Sequence, residues 1–190
     1  MRSISISCAF TGALIIAALN ATGVWQSHSF AIGLAHPILG VDHVLVMIAV
    51  GLWGVLVGGR AVWVLPLTFL ATMVAGFGAA SAGLNIPLVE PVISSSIISL
   101  GLLVALAAKA PIWLSALITA MFAFFHGHAH GTEAAAASLT SYALGFTFST
   151  ATLHGIGIGF GVLAASSIRQ VALRAMGGVI ALIGVALTVI

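Results

Sequence analysis

The chain is 190 residues long, 62% hydrophobic and only 4% charged, with five Lys/Arg against three Asp/Glu for a net charge of +2. No water-soluble domain of this size can hide so many apolar side chains, and five scattered basic groups make no nucleic-acid surface. A single cysteine, Cys8, excludes an intramolecular disulfide framework and a thiolate zinc cluster. The composition is that of an integral membrane protein. Its apolar runs approach the ~20 residues that a helix needs to cross ~30 Å of hydrocarbon, rather than the ~10 of a barrel strand. An all-α membrane protein is therefore expected.

Residues 1–23 begin with Arg2, continue through the apolar stretch Phe10 to Leu19 and end in Asn20-Ala21-Thr22-Gly23. A basic start, a short apolar core and small residues at the end read as a signal peptide. An uncleaved helix, a seventh, is the alternative. Residues 24–190 form a single transmembrane domain with six expected spans, at 37–57, 61–83, 88–108, 112–125 or a little beyond, 138–165 and 171–190. Pro37 opens the first of them, and Pro66 marks a kink in the second. There is no soluble domain, long linker or convincing internal repeat. Arg60, Lys109, Arg169 and Arg174 fall in three loops that share one face in a six-span chain, and the positive-inside rule makes that face cytoplasmic. Arg2 agrees with that sidedness. The remaining charged and metal-capable groups then lie on the outward half or within the bilayer.

Two stretches carry those groups. In the first, His36-Pro37-Ile38-Leu39-Gly40-Val41-Asp42-His43, a carboxylate and two imidazoles meet the edge of a long apolar run. An ionised carboxylate in hydrocarbon costs several kcal/mol and is retained there for a partner or a purpose. On a continuous helix His36 and His43 lie roughly 20° apart, with Met47 one turn further and Asp42 about 100° round. Because a residue before proline is pushed away from helical geometry, His36 is equally able to swing in from a loop above the helix end. The second stretch is Phe125-His126-Gly127-His128-Ala129-His130-Gly131-Thr132-Glu133. His126, His130 and Glu133 share a face at i, i+4, i+7, whereas His128 points to the other side and Gly127 and Gly131 weaken the helix. Imidazole and carboxylate without thiolate suit nickel, cobalt, zinc or ferrous iron, and softness alone does not choose among them. Glu90, between Pro87 and Pro91, heads the third span on the same outward side. His154 lies mid-span in a run with Gly155, Gly157, Gly159 and Gly161, with two readings: a hydrogen bond across a helix interface, or a station on an ion path. His28 reads as exposed and incidental.

The patterns His36-x5-Asp42-His43 and Phe125-His126-Gly127-x-Ala129-His130-Gly131-x-Glu133 resemble the two signature motifs of the HupE/UreJ nickel/cobalt permeases, hydrogenase and urease accessory membrane proteins. The resemblance extends to Ala151-Thr152-Leu153-His154, the signal sequence and the six spans. It implies a bacterial inner-membrane carrier that moves Ni(II), and Co(II) as a further substrate, from periplasm to cytoplasm for metalloenzyme assembly. It assigns His36, Asp42, His43, His126, His130 and Glu133 to metal capture or passage; from their positions, Glu90 is added at the outward mouth and His154 on a polar path inward. No resident cofactor is expected, since the metal is cargo. The partners expected are the dication and the lipid bilayer, while Gly51, Gly54 and Gly58 would serve packing within the chain or docking of a second copy equally well. The chain has no Gly-x4-Gly-Lys-Ser/Thr loop, so it should not hydrolyse a nucleotide. The rival readings are an intramembrane metalloenzyme, against which stands the lack of a His-Glu-x-x-His pair, and a metal sensor or chaperone, for which the loops offer no output segment.

Overall fold

A computed structural model describes residues 24–134, 138–163 and 167–189, with side chains except at 24–27, 133 and 167–169. The expected signal peptide at 1–23, with Arg2 and Cys8, lies outside the described residues. Those residues form seven helices and no strand: α1 (Val24–Leu39), α2 (Val41–Val57), α3 (Ala61–Ser81), α4 (Val89–Ala105), α5 (Ile112–Glu133), α6 (Leu139–Leu163) and α7 (Ser167–Val189). Four stretches are long and apolar enough to cross a bilayer, namely Ala61–Ser81, Ile112–Thr132, Leu139–Leu163 and Gln170–Val189. A fifth arises if α1 and α2, bent by 78° at one residue, form one broken span. The 17-residue α4 is apolar but shorter. The chain is a helical, multi-pass membrane protein.

Two features depart from the sequence expectation. The first span was expected to open at Pro37, but a helix already runs from Val24 and carries Pro37 in its last turn. The chain breaks instead at Gly40, whose extended backbone (φ −86°, ψ 112°) starts α2 in a new direction. His36 is therefore a helical residue rather than a loop residue. Secondly, α5 runs unbroken through all three histidines to Glu133. Each glycine costs a helix about 1 kcal/mol relative to Ala. Here that cost is offset by close approach: the missing Cβ of Gly127 is where the backbone carbonyl of Met73 passes, and Gly76 stands in the same way against the carbonyl of Phe124. Lipid tails are as apolar as leucine, so helices in a membrane are held by such close packing rather than by hydrophobic exclusion.

Helix α3 lies along α5, α4 along α7, and α6 along both α1 and α2. The middle of α2, from Val46 to Gly54, is buried except for Ile48 and forms the centre of the molecule with Phe69, Met73 and Phe146. Gly51 and Gly157 bring α2 and α6 together, each meeting the other helix's backbone, which sets the height of His154 against Met47. The two ends of the bundle differ in charge. Asp42, Glu90 and Glu133 stand at the helix ends on one side, while Arg60, Lys109, Arg169 and Arg174 stand at the opposite ends.

Candidate metal site

Three helices bring four histidines to one inner surface, and a fifth, on α6, lies beyond them. The bend at Gly40 returns the chain so that His36 on α1 and His43 on α2 face each other, with ring centroids 5.6 Å apart. From α5, His130 reaches between them, 4.8 Å from the ring of His36 and 4.7 Å from that of His43. One ligand nitrogen from each of these three residues lies within 4.8 Å of the others. Such spacing leaves room for a cation at about 2.0–2.1 Å from each nitrogen after small side-chain adjustments. His126, one turn before His130, stacks on His43 at 5.3 Å and continues the cluster inward.

The rings of His43, His126 and His130 are not satisfied by the protein. Nε2 of His43 and both nitrogens of His126 and of His130 are buried without a hydrogen-bond partner. A buried polar atom without a partner costs about 1–3 kcal/mol, so several in one place call for a missing ligand. Nδ1 of His43 lies 2.8 Å from Oδ1 of Asp42, off the line of a well-formed hydrogen bond, so the carboxylate acts on the ring by charge and proximity. Aromatic walls fix the orientation: Phe146 stacks on His130 at 5.0 Å, and Tyr142 borders His36 at 6.3 Å.

Asp42 itself points to the outer side. With Glu90, Ser94 and Ile97 it lines a cavity of about 300 Å³. The two carboxylates expected to receive an ion thus share one opening next to the histidines, although Asp42 does not join the three nitrogens. The backbone of Glu133 ends α5 one turn beyond His130, and its side chain lies outside the described residues. His128 faces away, as its register requires, and its Nε2 meets the carbonyl of Leu84 at 2.6 Å in the α3–α4 loop. His28 is exposed.

His154 stands apart from the cluster, with the ring of Phe69 between them, 5.8 Å from His126 and 5.0 Å from His154. Its Nδ1 lies 2.8 Å from the carbonyl of Met47. A carbonyl only accepts, so Nδ1 carries the hydrogen and the buried, partnerless Nε2 keeps its lone pair. The first reading of this residue is the one the contact shows: one nitrogen ties α6 to α2, and the other is left with a lone pair.

Sequence reasoning missed three contributors. Phe69 and Phe146 carry no signal, being apolar residues in apolar helices. Gly40 did carry one, as a glycine inside the first motif. A Cβ there would come within 2.7 Å of Nδ1 of His43 and 2.9 Å of Oδ1 of Asp42. The substitution Gly40→Ala is expected to push the pair aside and weaken nickel binding by about 10- to 100-fold, the usual range when a ligand's support is disturbed. Isothermal titration with Ni(II) measures it, and unchanged affinity would show that the cradle at Gly40 does not matter.

A helical membrane bundle whose interior holds converging imidazoles beside a carboxylate-lined opening has the donor chemistry that suits a transition-metal ion. The family model described as HupE / UreJ protein matches residues 8–187. The chain belongs to that family. It is 42% identical over 158 residues to Protein HupE of Rhizobium leguminosarum bv. viciae, across 83% of this chain and 83% of that one. No solved structure matches.

Proposed function

We propose that the protein is a secondary carrier of divalent transition-metal ions, Ni(II) first and Co(II) as a further substrate, moving them from the periplasm to the cytoplasm for metalloenzyme assembly. The observation that carries this reading is the set of His36, His43 and His130 nitrogens within 4.8 Å of one another, buried in a membrane bundle. In this mechanism a partly dehydrated dication is drawn to the Asp42–Glu90 opening, and Glu133 adds its charge at the end of α5. The ion passes to His36, His43 and His130. His126 takes it inward past Phe69 to the free nitrogen of His154, and it leaves at the basic, cytoplasmic end of a six-span inner-membrane fold. An inward-negative potential favours a dication by ~4.6 kcal/mol per 100 mV, twice the single-charge figure, so no nucleotide need be hydrolysed.

Uptake of radioactive nickel by proteoliposomes tests the proposal. Saturable uptake is expected in the wild type, competed by cobalt more strongly than by zinc, and lost in Asp42→Asn. Protons compete with metal for imidazole nitrogen, so uptake should fall on acidification. Tight metal binding without uptake would overturn the carrier reading in favour of a sensor or a metalloenzyme.

A further inference from the structure

At the basic end of the bundle, opposite the histidines, a cavity of about 410 Å³ opens between the ends of α2 and α6, the α4–α5 loop and the start of α7. Its walls include Val55, Gly161 and Leu173, and Lys109, Gln170 and Arg174 bring polar and charged groups to it. Two cations therefore share one hollow. Nothing acidic opposes them, because the three carboxylates of the chain all stand at the other ends of these helices. The loop of one cation and the side chain of the other are tied down. The indole N–H of Trp53 donates to the carbonyl of Ala108, 2.9 Å away, anchoring the loop that carries Lys109. Nε of Arg174 donates to the carbonyl of Ala105, at 2.8 Å. With Nε engaged, the guanidinium keeps its terminal N–H groups for an anion, in the fork geometry that matches phosphate.

From this we infer that the cavity is a binding site for the headgroup of an anionic phospholipid. Its phosphate sits on Lys109 and Arg174 and its glycerol backbone lies along the apolar wall at Val55 and Leu173. A hollow between helices at the edge of the apolar zone, apolar on one side and basic on the other, fits a molecule with the same division. A metal dication is repelled there, and a neutral headgroup leaves both cations uncompensated.

Native mass spectrometry of the full chain in detergent tests this, with phosphatidylglycerol, phosphatidylcholine of the same acyl chains, or inorganic phosphate added. One phosphatidylglycerol should be retained roughly 10- to 30-fold more tightly than phosphatidylcholine, as two basic contacts predict. The preference should vanish in the double variant Lys109→Gln/Arg174→Gln and weaken in Lys109→Gln alone, an exposed site that leaves the fold intact. Arg60→Gln removes the same charge at the same end but outside the cavity, and should keep the preference. Equal retention of phosphatidylcholine, or equal loss in Arg60→Gln, would overturn the site. Binding of phosphate alone, with the same dependence on Lys109 and Arg174, would overturn the lipid as its occupant.

Discussion

Replacing His43 by Ala is expected to abolish saturable nickel uptake, a loss of at least ~100-fold. His43 is the hub of the cluster: its ring is 5.6 Å from that of His36, 4.7 Å from that of His130 and 5.3 Å from that of His126, and it carries a contact to Asp42. Its removal leaves His36 and His130 as a pair, too few ligands to strip water from a dication. The matched control is His128→Ala, which deletes an imidazole equally buried and only two residues from the motif positions. That ring ties α5 to the carbonyl of Leu84 in an exposed loop, where water can replace it. The cost should be about 1 kcal/mol of stability, with uptake close to wild type. Circular dichroism confirms folding of both variants. Wild-type transport by His43→Ala would displace the site from where the geometry puts it, and an equally inactive His128→Ala would mean that uptake reports packing rather than ligation.

The second large effect is structural and separates glycines that look alike in sequence. Gly127→Ala places a methyl group on the carbonyl of Met73, a backbone atom of α3 that cannot turn away as a side chain would. The two helices must part along the contact that holds His126 and His130 at their height. A loss of about 1–3 kcal/mol or more is expected, and nickel affinity should fall with it. Gly155→Ala meets nothing within 4 Å and lies on the exposed face of α6. There the substitution should be neutral or stabilise by about 0.5–1 kcal/mol, the ordinary Gly-to-Ala gain in a helix. Thermal unfolding in detergent measures both, and equal midpoints would refute the account of α3–α5 packing.

Much of the architecture was legible because the bilayer imposes it. Helices of spanning length follow from apolar runs, and the i, i+4 register of His126 and His130 places both on the inner face. The same register sends His128 to Leu84. The seven-residue spacing of His36 and His43 also brought them together, although by a different route: they face each other across a bend instead of lying along one helix. What failed to show was the helix before Pro37, because Gln26, Ser27, His28 and Ser29 made that stretch look too polar to belong to the bundle. His36, Asp42 and His43 were read as able to converge on one point, whereas Asp42 stays outside the three nitrogens and lines a cavity. Its shared opening with Glu90 was not readable, since it depends on how α2 and α4 lie side by side. Phe69 and Phe146 were invisible for a general reason: in a chain this apolar, an aromatic residue that borders a histidine has the same sequence context as one that faces lipid.

The 78° turn at Gly40 creates two helix ends beside the histidines, with a meaning beyond shape. A helix carries roughly half a positive charge at its N-terminus and half a negative charge at its C-terminus. At the start of α2, where the amide of Val44 takes the carbonyl of Gly40 at 3.0 Å, the positive end is met by Asp42 in the first turn, and the two offset each other. The negative end of α1, beside His36, has no basic residue other than His36 to offset it. In the proposed carrier an arriving dication would meet a field supplied by peptide carbonyls, which no change of pH can titrate away, as in transporters whose interrupted helices aim their ends at the ion.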